Sequence, residues 1–157
     1  MYSRIKEELE NMDVGVLVNN VGTIASHPEY FLELENHHKY LYQGIINCNI
    51  TSAINMTRFV LPGMVKRSRG LIINVSSMMG VLPAPLHSLY GATKSFILKF
   101  SQDLDTEYSK SGVHVHVLKT GLVATKMSDV EEIPFICAFS SSIRGQRSER
   151  RHQKTKL

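Results

Sequence analysis

The sequence predicts an α/β protein built on a doubly wound, Rossmann-like parallel sheet. Three short apolar runs rich in β-branched residues, at 14–18, 71–75 and 113–118, are typical of buried strands. Two long segments with helical spacing of apolar residues, 36–66 and 88–111, separate these runs. A strand–helix–strand–helix–strand order favours right-handed crossovers between parallel strands, which places the strands side by side in one sheet.

The elements before the second strand follow from local patterns. Residues 2–12 mix charged and apolar positions, which predicts an amphipathic helix, and residues 23–35 are expected to form a loop. The first long helix is predicted over 36–66. Pro62 should kink or weaken its last turns, because proline removes a backbone donor.

The second long helix, 88–111, has recognisable signals at both ends. Ser88 is a plausible N-cap, and Gly112 follows Ser111 as a helix stop. Thr120 and Gly121 are expected to form the turn that follows the third strand. The predicted apolar face of this helix consists of Leu89, Ala92, Phe96, Phe100, Leu104 and Tyr108.

Composition and charge indicate one globular domain with a distinct tail. The chain has 157 residues, 43% hydrophobic and 20% charged, and a net charge of +4. Residues 140–157 hold six basic residues and one acidic residue, which leaves 12 basic and 13 acidic residues in the body. The tail is expected to be disordered; it either binds a polyanion or has no role, and the body gives no reason to expect a nucleic-acid partner. No apolar stretch reaches the ~18 residues of a membrane span, and no metal site is predicted.

The strongest chemical signal is the pair Tyr90 and Lys94. Four residues separate them, so on a helix they share one face a turn apart. An ammonium beside a phenol should favour the phenolate, which would suit Tyr90 to general acid–base chemistry on a carbonyl or alcohol. Taken alone, the pair is better explained as a solvated helix pair.

Polar clusters follow all three predicted strands. They occupy residues 19–22, 76–77 and 120–125. Ligands of doubly wound sheets bind beyond the carboxyl ends of the strands, so the three clusters are expected to converge on one site.

Five motifs, in order, resemble those of the short-chain dehydrogenase/reductase family. They are N-N-V-G at 19–22, N-I-T-S beginning at Asn49, Ser77, Y-G-A-T-K at 90–94 and T-G-L-V-A-T at 120–125. Ser77 precedes Tyr90 by thirteen residues, the usual spacing in the family. The resemblance covers residues 2–127, which are predicted to be the C-terminal part of a Rossmann-type domain. Residues 128–157 are predicted to be a tail outside the family, disordered from about residue 140.

Finer features resemble one branch of that family, the 17-beta-hydroxysteroid dehydrogenases and very-long-chain 3-oxoacyl-CoA reductases. These features are N-N-V-G, L-P-G-M at 61–64, F-S at 100–101 and E-Y at 107–108. The resemblance implies an NADP(H)-dependent ketone/alcohol oxidoreductase acting on a steroid or fatty-acyl substrate. It also implies an endoplasmic reticulum location, or a cytoplasmic one if this chain is the whole product. Helices 36–66 and 88–111 match those through which the family dimerises.

The resemblance also implies roles for individual residues. Tyr90 would protonate the carbonyl oxygen as general acid. Lys94 would lower the pKa of Tyr90 and bind the nicotinamide ribose. Ser77 would hold the substrate oxygen, and Asn49 a water of the proton relay.

The remaining cofactor contacts come from two motifs. Asn19 and Gly22 would pack beside the adenosine side of NADP, and Val123 and Thr125 would meet the nicotinamide carboxamide. Together with Tyr90 and Lys94, these residues complete the cofactor set that the resemblance implies.

The sequence departs from the family pattern in ways that open a second hypothesis. The family's glycine-rich pyrophosphate turn, T-G-x-x-x-G-x-G, does not occur in this sequence, and Thr120 stands where the family has proline. The resemblance therefore indicates a chain truncated at both ends. The alternative to an active oxidoreductase is a non-catalytic fragment that acts at most as a subunit-association module.

Overall fold

The computed structural model describes residues 2–34, 40–121 and the backbone of 138–141. Within these residues a four-stranded sheet has the order β1-β2-β3-β4. Its first three strands are parallel, as predicted, and β4 runs antiparallel to β3. The strands are β1 Val16–Asn19, β2 Gly70–Ser77, β3 Val113–Thr120 and β4 Ala138–Ser141.

The helices occupy the predicted intervals between the strands. The first long helix is confirmed from Leu41, since residues 35–39 lie outside the described part, and it continues through Pro62 to Lys66. A π-helical turn interrupts its α-helical geometry. The helical segments are α1 Tyr2–Leu9, α2 Leu41–Ile46, the π turn Asn47–Thr51, α3 Ser52–Lys66, α4 Ser88–Tyr108 and the 3-10 turns Met78–Gly80 and Ser109–Ser111.

The core lies between one face of the sheet and helices α3 and α4. Alternate residues of β2 and β3 are buried, as the two-residue period of a strand requires. The buried core cluster consists of Leu17, Val60, Met64, Ile72, Val113 and Val115.

Two local predictions for α4 need correction. His87, not Ser88, occupies the N-cap position, and it makes no side-chain capping hydrogen bond. The predicted apolar face is also wrong in part: Phe96 is 37% exposed, and Ala92 is exposed as well. The buried positions of the helix are Gly91, Thr93, Lys94, Ile97 and Ser101.

The segment after α4 stops at Gly112, as the sequence predicted. Gly112 has φ +75°, in the left-handed region, and a Cβ atom there would lie 2.0 Å from the Ser68 carbonyl oxygen. Only glycine fits this position, which connects α4 to β3.

The region after β3 was predicted only in part. Thr120 is the last residue of β3 instead of a turn residue, and its hydroxyl donates to the Ser76 carbonyl at 3.1 Å. Strand β4 was not predicted; its backbone pairs Ala138 with Thr120 and Ser141 with Val117. Residues 142–157, most of the segment predicted to be disordered, lie outside the described part.

None of the helices in the described ranges combines the length and apolar character needed to cross a membrane.

Candidate active site

The carboxyl ends of the parallel strands meet at one edge of the sheet. Asn19 at the end of β1 pairs in register with Asn74 of β2, and Ser77 at the end of β2 pairs with Thr120 of β3. The predicted convergence is therefore confirmed for the described residues. Val123 and Thr125 lie outside them, so their predicted contact with a nicotinamide carboxamide stays a prediction.

Tyr90 and Lys94 lie on the first two turns of α4, against the end of β2. The Lys94 Nζ atom is 5.6 Å from the centroid of the Tyr90 ring. Lys94 is only 5% exposed, and its ammonium donates to the Val75 carbonyl at 3.0 Å. The predicted proximity of the two side chains is present, with the lysine fixed by the end of the neighbouring strand.

The electrostatic consequence differs from the prediction. Burial raises the pKa of the Tyr90 phenol above its ordinary value of 10.0, and a hydrogen bond with the Ser77 side chain partly opposes this shift. Burial also lowers the pKa of Lys94, against a smaller opposing effect of Cys48. The phenol is thus held in its protonated form at neutral pH.

Ser77 reaches Tyr90 because a tight turn follows β2. Its Oγ accepts a hydrogen bond from the Met79 backbone N–H at 3.2 Å, which caps the 3-10 turn Met78–Gly80. The preceding residue, Ser76, is buried and donates to the Lys94 carbonyl at 2.7 Å. The serine pair therefore ties the strand end to α4 on both sides.

Asn49 lies in the π turn and is 2% exposed. Its Nδ2 donates to the Thr23 carbonyl at 2.9 Å and to Thr93 Oγ1 at 3.0 Å. Its Oδ1 accepts from the Thr23 N–H at 2.7 Å. Asn49 thereby joins the loop after β1 to α4, and π turns of this kind are frequent at functional sites.

Gly22 packs beside both of these groups. A Cβ atom at Gly22 would lie 3.3 Å from Lys94 Nζ and 3.4 Å from Asn49 Oδ1. The absence of a side chain at Gly22 therefore leaves the lysine ammonium and the amide oxygen uncovered, and the predicted contact of Gly22 with the adenosine side of the cofactor stays a prediction. The described residues fit the nicotinamide end of the cofactor that the resemblance implies.

Asn19 uses its side chain to cross-link the sheet. Its Nδ2 donates to Asn74 Oδ1 at 2.8 Å and to Thr57 Oγ1 at 3.3 Å. Asn74, fully buried, donates in turn to Ser101 Oγ at 2.8 Å. This chain of polar contacts joins β1 and β2 to α3 and α4, and the predicted contact of Asn19 with adenosine stays a prediction.

Sequence reasoning missed three supporting residues. Thr93 accepts from Asn49 and donates to the Tyr90 carbonyl at 2.7 Å. Asn74 and Ser101 extend the polar chain. The available signal was Asn74 itself, a polar residue inside the apolar run L-I-I-N-V, since buried amides in strands need fixed partners.

A cavity opens next to Tyr90 at the start of α4. Apolar side chains form most of its wall, namely Ile24, Ala25, Leu34, Ile45, Leu86 and Leu89. His87 also borders the cavity, and its Nδ1 atom is buried without a hydrogen-bond partner among the described residues.

A tyrosine, a serine and a lysine thus lie together at the carboxyl edge of a parallel, Rossmann-like sheet. The sequence profile of the family described as short chain dehydrogenase matches residues 1–133. The chain therefore belongs to the short-chain dehydrogenase family.

The relatives of this chain include very-long-chain 3-oxoacyl-CoA reductases, which belong to the branch that the sequence features resemble. The chain is 46% identical over 135 residues to the very-long-chain 3-oxoacyl-CoA reductase of Anas platyrhynchos, covering 86% of this chain and 43% of that protein. It is 45% identical to the protein of that name from Homo sapiens, covering 84% and 42%. The chain thus spans less than half the length of these relatives.

Solved structures show the same partial fold. A short-chain dehydrogenase from Sphingobium yanoikuyae in complex with NADPH matches with a TM-score of 0.73 at 29% identity, covering 80% of this chain and 48% of that one. A 3-oxoacyl-[acyl-carrier protein] reductase with bound NAD from Brucella melitensis matches with a TM-score of 0.72 at 27% identity, covering 80% and 49%.

Proposed function

We propose that this chain carries the proton-transfer half of an NADP(H)-dependent ketone reductase that acts on 3-oxoacyl thioesters. The observation that supports this most directly is the position of Tyr90 at the sheet edge, with Lys94 Nζ 5.6 Å from its ring centroid and with its pKa raised by burial against an opposing effect of Ser77. The relatives' names favour an acyl-CoA ketone over the steroid ketone that the sequence also suggested. Association with the endoplasmic reticulum is part of the same proposal.

The reaction needs one hydride and one proton for each carbonyl reduced. When bound, the nicotinamide cofactor supplies the hydride. Tyr90 donates its phenolic proton to the carbonyl oxygen, and Ser77 orients that oxygen by a hydrogen bond. The tyrosinate left behind is stabilised by Ser77 and by the adjacent Lys94 ammonium, until a proton from solvent restores the phenol.

The cofactor is proposed to be held by the groups around Gly22. Lys94 and Tyr90 would bind the nicotinamide ribose, and Gly22 leaves the space that the ribose needs. Asn49 has both amide protons committed to Thr23 and Thr93, which fixes this surface, and its contact with a water of the proton relay stays a prediction.

The test compares three proteins: the parent chain, Tyr90→Phe and the control Tyr42→Phe. Tyr42 lies on α2 and is 39% exposed. NADPH binding is measured by nicotinamide fluorescence, and turnover of a 3-oxoacyl-CoA by loss of NADPH absorbance. Tyr90→Phe should lower turnover by about 10²- to 10⁴-fold, with NADPH affinity little changed, because only the proton donor is lost. Unchanged turnover in Tyr90→Phe would contradict the proposal.

A second candidate function is a non-catalytic association module. Phe96 and Phe100 stack on α4 with ring centroids 5.7 Å apart, and Phe96 is 37% exposed, so an apolar pair is available for docking. A homodimer through helices 36–66 and 88–111 would cover it. Absence of saturable NADPH binding, together with a dimer that Phe96→Lys dissociates in sedimentation, would favour this function.

A further inference from the structure

Thr120 makes a hydrogen bond that the proline of the family pattern could not make. Its side-chain hydroxyl donates to the Ser76 carbonyl at 3.1 Å, from the last residue of β3 to the end of β2. Ser76 is only 1% exposed, so water has little access to this peptide group. Buried carbonyl groups are nearly always paired within the protein, and the Thr120 hydroxyl is therefore part of what holds the strand end.

The peptide group that Thr120 holds is the one that leads into Ser77. The Ser76 carbonyl and the Ser77 N–H belong to one planar unit, so a partner that fixes the carbonyl also restricts the orientation of the Ser77 backbone. Ser77 is the last residue of β2, in register with Thr120, and the chain turns directly after it. The hydroxyl thus acts at the point where the regular pairing of the two strands ends.

Two further hydrogen bonds hold the serine pair from other elements. The Ser76 hydroxyl donates to the Lys94 carbonyl of α4 at 2.7 Å. The Ser77 Oγ atom accepts from the Met79 N–H of the 3-10 turn at 3.2 Å. Helix α4, the 3-10 turn and β3 therefore all hold the pair, and Thr120 supplies the side-chain contact from β3.

We propose that Thr120 is a positioning residue for the reaction and that it acts through Ser77. Its hydroxyl holds the peptide group between Ser76 and Ser77 so that the Ser77 side chain is directed to the Tyr90 phenol and to the substrate carbonyl. The expected effect on turnover rests on the proposed function. The expected effect on the Tyr90 phenol can be measured without cofactor or substrate.

The test uses Thr120→Val, which removes the hydroxyl and keeps the branched shape, and Thr120→Ser, which keeps the hydroxyl. Thr106→Val on α4 is the matched control, because the exposed Thr106 hydroxyl also donates to a backbone carbonyl, that of Gln102 at 2.9 Å. The ionisation midpoint of Tyr90 is measured by absorbance at 295 nm, as the difference between each variant and its Tyr90→Phe counterpart. Thr120→Val should raise this midpoint, as Ser77→Ala should, whereas Thr120→Ser and the control should leave it unchanged.

A double variant shows whether Thr120 acts through Ser77. In Ser77→Ala, the added Thr120→Val should leave the Tyr90 midpoint where Ser77→Ala alone puts it, because the side chain that Thr120 positions is already gone. Thr120→Ala, which also lacks the hydroxyl, should behave like Thr120→Val and takes its place if that variant does not fold. A further rise in the double variant, or an unchanged midpoint in the single variants that lack the hydroxyl, overturns the inference and makes Thr120 structural.

Turnover of a 3-oxoacyl-CoA supplies the second readout. Thr120→Val should lower kcat by about three- to tenfold and change NADPH affinity by less than about twofold, since the loss corresponds to one hydrogen bond away from the cofactor. Thr120→Ser should retain the parent kcat, and an equal loss in both variants overturns the inference. If the parent chain turns over no 3-oxoacyl-CoA, the proposed function fails, and the Tyr90 midpoints still decide the role of Thr120.

Discussion

At the scale of single residues, two opposing effects determine the protonation state of Tyr90. Burial raises its pKa, and the Ser77 hydrogen bond lowers it, with burial the larger effect. Lys94 lies over the ring, and Val75 binds its ammonium. The phenol therefore remains an acid at neutral pH, which suits proton donation to a ketone better than proton abstraction from an alcohol.

The first prediction concerns the ionisation of Tyr90. Its midpoint should lie above 10.0, and in Ser77→Ala it should move higher, because the interaction that favours the phenolate is lost. The raised folded-state pKa also means that its contribution to stability is present below pH about 10 and declines as pH rises through that pKa. The measurement is absorbance at 295 nm against pH, taken as the difference between each protein and its Tyr90→Phe counterpart. A lower midpoint in Ser77→Ala would contradict this balance.

That these residues share one site could be predicted from the sequence, but the direction of the Tyr90 pKa shift could not. Helical spacing placed Lys94 beside Tyr90, and the strand-end position of Ser77 together with the family resemblance added Ser77 to the same site. The predicted direction of the Tyr90 pKa shift was wrong, because burial by segments distant in sequence raises that pKa. His87 escaped notice because an unpaired atom is recognisable only when its whole surroundings are known.

At the scale of elements, close packing of the 3-10 turn Met78–Gly80 against α4 aligns the site. A Cβ atom at Gly80 would lie 2.7 Å from the Lys94 carbonyl carbon and 2.8 Å from the Ser95 nitrogen. The Ser95 hydroxyl also donates to the Gly80 carbonyl at 2.6 Å. This contact determines how closely Ser77 can approach Tyr90.

Gly80→Ala should therefore destabilise the protein by about 1–3 kcal/mol, because both atoms it meets belong to helix backbone. The control is Gly44→Ala on α2, where nothing lies within 4 Å of the new methyl group. That change should stabilise by roughly 0.5–1 kcal/mol, since alanine favours helix. Urea denaturation measures both. Equal effects of the two substitutions would show that the turn is not tightly packed.

The buried face of α4 illustrates why element packing was only partly predictable. Hydrophobic spacing selected Phe96 and Phe100, whereas the buried positions of the helix include Gly91, Thr93 and Ser101. Small and polar residues allow the helix to approach the strand ends closely and to hydrogen-bond there. A periodicity that counts only apolar residues misses such a face.

At the scale of the whole molecule, the sheet packs helices α3 and α4 on one face in the described residues. On the opposite face, Val16 and Val18 of the edge strand β1 are each 54% exposed. An exposed apolar edge strand is a template for pairing with another chain.

The Val16→Thr, Val18→Thr double variant should reduce concentration-dependent self-association and keep the free energy of unfolding within about 0.5 kcal/mol per site. Leu17→Ala, one position away but only 8% exposed, should instead destabilise by about 2–5 kcal/mol. Sedimentation velocity and urea denaturation distinguish the two effects. Unchanged self-association in the double variant would exclude β1 as the surface through which copies of the chain associate.

Strand order and parallel direction were thus accessible from sequence, whereas strand β4 was not. Strand β4, Ala138–Ser141, is defined by its backbone pairing with β3. Backbone hydrogen bonds of this kind depend little on the pattern of side chains.

The π turn Asn47–Thr51 restricts which insertions and deletions this helix can accept. A π turn holds one more residue than the α-helical turn it replaces. Deleting one residue there would leave a regular α-helical turn between α2 and α3, without the extra residue. The wider turn that carries Asn49 would be lost, and with it the hydrogen bonds of Asn49 to Thr23 and Thr93. Deletions should therefore be tolerated in the loops and rejected at this turn.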